Sequence, residues 1–245
     1  MVDSTTLKPG EGATAASRRP RSSNGKSLGT IATSVYERLR ADILTGRLTP
    51  GDKLRVEFVR DRYAAGNSPV REALNRLSAE GLVERREQRG FYVAAISDQD
   101  LRELTKTRCW LEAIALRESI ANHTADWEEG IVLAFHRLSR TARSISETQY
   151  QTNPEWETRH RAFHRALIAN CGSRWLLEFC ESLADQAYRY REIAVANVFP
   201  KRHEADEHRE IMEATIDGDT AAAVEHLVQH YERTAAIVLE SLGKR

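Results

Sequence analysis

Residues 68–93, SPVREALNRLSAEGLVERREQRGFYV, decide the fold. The spacing predicts a helix with Asn67 or Ser68 as N-cap and Pro69 as the first helical residue, where proline loses no hydrogen bond and presets φ. Val70, Ala73, Leu74 and Leu77 form the apolar stripe, with Arg71, Asn75 and Arg76 off it. Gly81 ends the helix as a residue suited to positive φ. Two short strands are expected next, 82–86 and 91–95, with a turn near Gln88-Arg89-Gly90. Helix, helix and basic hairpin is the order of a winged helix-turn-helix, which makes duplex DNA the expected partner.

Working outward, a first helix is expected over 30–45, with Ile31, Val35, Leu39 and Ile43 near helical spacing. A turn spans 46–51, and a second helix, 55–65, points Phe58, Val59 and Tyr63 inward. Residues 1–27 are rich in Gly, Ser, Thr and Ala and carry Arg18, Arg19, Arg21 and Lys26, so a disordered basic tail is expected. Gly25-Lys26-Ser27 is no phosphate loop, because the glycine required five residues earlier is Pro20. From Asp98 onward the pattern is helical: helices near 98–122, 126–147, 154–170, 174–198, 203–217 and 220–242. Breaks fall around 122–126, Asn153-Pro154, 171–173, Phe199-Pro200 and 217–219, with Asp98 capping the first helix and Asp219 or Gly218 the last. The fold class is mainly α: a winged helix-turn-helix of three helices plus a hairpin wing over 28–95, then a six- to seven-helix antiparallel bundle over 96–243.

The formal net charge is zero, but residues 1–95 hold 17 Lys and Arg against 11 Asp and Glu, and the remainder is acidic by the same margin. A basic front on an acidic rear suits a DNA-binding head on a body that stays off the phosphates. Cys109, Cys171 and Cys180 lack C-x-x-C spacing and read as buried thiols of a reducing compartment. No apolar run reaches membrane-spanning length, so a cytoplasmic protein with no membrane partner is expected.

All eight histidines follow residue 120. His160 and His164 are four apart on one helix, so their side chains leave the same face. His208 and His230 lie on the last two helices; with the pair they could converge on one transition metal inside the bundle. Against this stands the plainer reading that these are surface residues like His123, His136, His203 and His226. No H-E-x-x-H occurs, since His203-Glu204 is followed by His208, one residue too late, and no nucleophile elbow is present. A metal-dependent enzyme is therefore the weaker alternative, and no catalytic residue is assigned.

Tyr36, Ile43, Leu44, Gly46, Leu48, Pro50-Gly51, Leu54 and the segment quoted above resemble, without a gap over residues 30–95, the N-terminal domain of the GntR family of bacterial transcription regulators. The family's arginine before the Ser/Thr-Pro-Val-Arg run is Asn67 here, so its operator sequence does not transfer. Asp100-Leu101, Leu104, Arg108, Leu111-Glu112, Phe163-His164, Leu167, Asn170, Gly172, Glu207-His208, Ile211, Ala214, Ile216, Asp219 and His230 resemble the FCD effector domain of one GntR branch. That resemblance implies a metal held by His164, His208 and His230, with His160 at the place of the usual aspartate. Zinc is the first expectation for imidazole ligands, with nickel, iron or manganese as alternatives.

It also implies that Arg108 points into an effector cavity, where a guanidinium beside a metal suits a carboxylate; the alternative is an ion pair to Glu112. Arg189 and Arg191 are further effector candidates, while Trp110, Trp156, Trp175 and Phe179 read as packing. At the DNA, Arg71 is the first candidate contact, joined by Asn67, Ser68 and Arg89 near the wing tip, with Arg47 and Lys53 for the backbone. The expected protein is a homodimeric regulator, a repressor before an activator, on a palindromic operator. A small organic acid near the metal modulates it, or acts with no metal at all.

Overall fold

The computed structural model describes residues 25–146, 151–195 and 204–243. The head contains α1 (Gly25–Leu44), β1 (Lys53–Leu54), α2 (Val56–Tyr63), α3 (Asn67–Ala79), β2 (Val83–Arg86) and β3 (Gly90–Val93). Its core gathers Val35, Leu39 and Ile43 of α1, Val59 and Tyr63 of α2, the whole predicted stripe of α3, and Leu82, Val83, Phe91 and Val93 of the wing. Ile31 and Phe58 instead lie on the surface, each more than two-fifths exposed. Periodicity places a residue on a stripe but does not say how far the stripe's edge reaches under a neighbour.

The recognition helix starts earlier than its sequence suggests. Gly66 is the N-cap, extended at φ −80°, so Asn67 and Ser68 are the first two helical residues and Pro69 the third. Proline still loses nothing there, because the first four amides of a helix have no partner in it. Gly81 adopts φ +70°, and Leu82 N bonds Leu77 O at 3.0 Å, the long-range bond of a Schellman ending. The wing contains a strand that the sequence did not betray: β1 pairs β3, giving the order β1-β3-β2. Two residues are too short for alternation to register.

The body holds α4 (Asp98–Ala121), α5 (Ala125–Ser139), α6 (Pro154–Ile168), α7 (Arg174–Val195), α8 (Glu204–Ile216) and α9 (Thr220–Leu242). Ser97, not Asp98, caps α4, accepting from Asp100 N; Asp98 and Asp100 occupy its first turn. α5 ends at Ser139 rather than near 147. Beyond it Ser144 Oγ bonds Ser146 O at 2.7 Å and accepts from Gln151 N, local bonds that compete with helix. The core is lined by Ala115, Leu116, Ile131, Phe163, Leu167, Ile211, Ala223 and Leu227. α1 begins three residues inside the stretch read as tail; the rest of that stretch, the Phe199-Pro200 break and His203 lie outside the described residues. No described helix is long and apolar enough to cross a membrane.

One helix joins head and body. Tyr188 of α7 packs against the head's core and Gln186 Nε2 donates to Glu80 O at 3.0 Å, while Tyr190 Oη fastens α7 to α4 within the body, donating to Asp100 at 2.6 Å. The other side of α7 looks into the bundle.

Candidate metal centre and DNA-binding face

His160 and His164 lie one turn apart on α6, His208 on α8 and His230 on α9, and packing of these helices brings one nitrogen of each within 4.8 Å of every other. All four are buried, at 2–5% exposure, which overturns the surface reading. The Nε2 atoms of His160 and His164 face each other at 3.1 Å. The outward nitrogens are held: His230 Nδ1 lies 2.8 Å from Glu207 Oε2, and His164 Nδ1 lies 3.0 Å from Tyr231 Oη. Carboxylate and hydroxyl partners of this kind orient imidazoles as ligands. Burial, then the neighbouring imidazoles and arginines, pushes the pKa of His160 and of His164 well below the ordinary value, so both rings are neutral. Four buried imidazoles, each with one nitrogen within 4.8 Å of the others, fit a borderline first-row ion such as zinc.

His160 is the least settled of the four. Arg191 donates to its Nδ1 at 3.3 Å while clasping both oxygens of Glu157 at 2.7 and 2.8 Å. A ring that accepts at Nδ1 carries its proton at Nε2, the atom that faces His164. Trp156 stacks on the ring at 4.6 Å, a contact made from the same helix.

Beside the cluster lies a cavity of about 310 Å³ lined by His160, His164, Arg108, Arg191, Arg161 and Arg165, among others. Each of these arginines is ion-paired, Arg161 through a carboxylate that it shares with Arg40. Arg108 pairs with Glu112 at 2.6 Å, Arg191 with Glu157, Arg165 with Glu181 at 3.0 Å, and Arg161 with Asp185. Arg108 thus lines this cavity while paired to Glu112. Burial would weaken the Arg108 cation, but Glu112 and Tyr231 outweigh that and raise its pKa. Tyr231 Oη also donates to Glu112, so it links the histidines to the Arg108 pair.

Arg189 is misassigned by the sequence reading. Its guanidinium is buried at the junction with the head and donates to Ala94 O, away from the cavity. Residues two apart on a helix face different ways, which is why Arg191 meets His160 and Arg189 does not. Trp110, Trp175 and Phe179 do not pack either; each is about three-fifths exposed.

On the head, Arg71 is the fifth residue of α3, just past its first turn, exposed and without an ion pair among the described residues. It lines a groove with Asn75, Arg85, Arg86, Gln88, Gly90 and Phe91, between recognition helix and wing. Arg85 and Arg86 were missed in the sequence; the run of two arginines at the end of a strand was the available signal. Asn67 and Ser68 are exposed at the helix N-terminus, and Arg89 is exposed in the wing turn after Gln88 at φ +56°. Lys53 faces Tyr92 at 5.7 Å beside the wing, and Arg47 pairs with Asp42 at 3.3 Å. Asp42 also binds Arg62 and Tyr63, so Arg47 serves the head's interior network as well as the surface.

Comparison with known proteins agrees with these two halves. Residues 31–93 match the model of the bacterial regulatory proteins of the gntR family, and residues 103–233 match the FCD domain. The HTH-type transcriptional regulator BphR of Paraburkholderia xenovorans is 36% identical over 85% of this chain and 85% of its own. The HTH-type transcriptional repressor GlaR of Escherichia coli is 37% identical over 85% of this chain and 96% of its own. Among solved structures, McbR/YncC of E. coli superimposes with TM-score 0.69 at 20% identity, covering 86% of this chain and 97% of that one, which shows the fold alone. The chain belongs to the GntR family of DNA-binding transcription regulators, in the branch that carries an FCD domain, and it is not an enzyme.

Proposed function

We propose that this regulator is a homodimeric repressor whose hold on a palindromic operator is set by a small carboxylate bound beside a metal ion in the helical domain. The observation that carries the reading is the convergence of four buried imidazoles beside a cavity whose arginines are all ion-paired. By itself the cavity falls short of the free positive charge a buried anion needs, because its four arginines are all ion-paired. A divalent ion on His160, His164, His208 and His230 would supply it, since no ligand in this set is charged, and would give the acid a Lewis-acidic partner. Arg108 and Arg191 then orient the carboxylate rather than neutralise it. Zinc is the first choice of metal by donor type.

Repression is supported by relatives described as repressors, GlaR among them. The dimer is supported by an exposed apolar patch. On α4, Trp110 and Ile114 are exposed and line a groove with Val224 and Val228 of α9, and Trp175 and Phe179 of α7 are exposed as well. Exposed apolar groups of this kind mark interaction surfaces. At the DNA, Arg71, Asn67, Ser68, Arg85 and Arg89 would meet bases and phosphates from helix and wing, with Lys53 and Arg47 behind them.

The test is calorimetric titration of malate, citrate, gluconate and benzoate into zinc-loaded and chelator-treated protein. Saturable binding that requires the loaded form supports the reading. Equal binding to both preparations favours the metal-free alternative, in which Arg108 and Arg191 hold the acid unaided.

A further inference from the structure

Asp185 on α7 stands between two arginines from different domains. One carboxylate oxygen takes Arg161, which lines the cavity; the other takes Arg40 of α1. Arg40 reaches on through Nε to Glu80 Oε2 at 3.3 Å. Glu80 is the C-cap residue of the recognition helix, and it is tied down twice more, by Tyr36 Oη at 2.6 Å and by Gln186 of α7 at its carbonyl. A continuous run of charged contacts therefore leads from the cavity wall to the end of the helix that carries Arg71. Asp185 is mostly shielded from solvent, with 14% of its side chain exposed, so these contacts are little weakened by water.

We infer that Asp185 is the positioning residue through which the state of the cavity reaches the recognition helix. An anion that engages Arg161 competes with Asp185 for it. The released oxygen becomes available to Arg40, which can close on the carboxylate with both its nitrogens, the geometry a guanidinium favours, and leave Glu80. The C-terminus of α3 loses one of its three tethers. Operator affinity then falls without any group near the DNA being touched. Such a route counts as coupling only if the two ends are shown to depend on the residue between them. The inference takes the cavity to be the effector site, as proposed above, but its test uses neither metal nor acid, so it can fail independently of that reading.

The experiment uses the full chain and a duplex recovered from a random-sequence library by the wild-type protein. Dissociation constants are measured for wild type, Arg161→Ala, Asp185→Asn and the double variant, with circular dichroism melts to confirm folding. Arg161→Ala imitates the engaged state and is expected to weaken binding at least about fivefold, the lower end of ordinary allosteric coupling. In the Asp185→Asn background the same substitution is expected to change affinity less than twofold. Native hydrogen exchange adds a readout that a general loss of stability would not give: faster exchange confined to 79–82 in Arg161→Ala. An effect under twofold in the single variant, or one of equal size in both backgrounds, overturns the inference. Should Arg161→Ala fail to fold, Arg161→Gln carries the same comparison.

Discussion

Replacing Arg71 by alanine removes an exposed guanidinium with no ion pair among the described residues, near the N-terminus of α3 beside Arg85 and Arg86. Because no intramolecular partner is orphaned, folding stability should change by no more than about 0.5 kcal/mol. DNA binding should change far more, since the proposed symmetric dimer on a palindrome would carry the substitution twice. If Arg71 holds a phosphate, losing two contacts makes the slope of log K against log salt shallower by about 1.8, at roughly 0.9 per contact. If it reads a base, the loss is about 1–3 kcal/mol per half-site, so about 2–6 kcal/mol per dimer, with selectivity relaxed at one position of each half-site. Fluorescence anisotropy at several salt concentrations, on a duplex selected by the wild-type chain, separates the two. Arg209→Ala, which removes an equal charge on α8 in the body, is the control for global charge. An Arg71→Ala protein that binds within twofold of wild type with an unchanged salt slope would refute the proposed docking face.

Three further outcomes follow from the same geometry. Glu207→Gln weakens the acceptor that holds His230 Nδ1 and should reduce metal affinity about 10–100-fold while leaving the operator affinity of metal-free protein unchanged, as read by competition with a chelating dye. His160 and His164 have folded pKa values well below 6.5, so their contribution to stability is complete above that value and is lost as pH falls below it; melts of metal-free protein should show a declining transition temperature from about pH 6.5 downward, and a flat profile there would contradict the burial of neutral rings. Trp110→Glu puts a charge on the exposed apolar surface of α4 and should shift sedimentation from the proposed dimer to monomer without lowering the secondary-structure content; a dimer unchanged by it would place the interface elsewhere.

Much of this was legible in the sequence because helix geometry is regular. Val70, Ala73, Leu74 and Leu77 had to share a face, and that face is the core of the head. The four-residue spacing of His160 and His164 likewise forced them together, whereas the convergence of His208 and His230 on them was implied only by the family resemblance. What failed were judgements that depend on a neighbour. Periodicity could not tell Phe58, Trp110 or Phe179, which end on the surface, from core residues, because an interaction face and a core face have the same spacing. Nor could it separate Arg189 from Arg191, which differ only in the side of α7 they occupy. Glu207, Tyr231 and Asp185 matter through partners far away in sequence, on other helices, and left no local signal.

The most direct test of the account is the metal content of untagged, full-length protein, by plasma mass spectrometry after loading with zinc and desalting, beside the variants His164→Ala and His208→Ala. The account predicts near one ion per wild-type chain and strong depletion in both variants, with melts showing that the variants remain folded. A wild-type protein that retains no ion, or variants that retain as much as wild type, would contradict it.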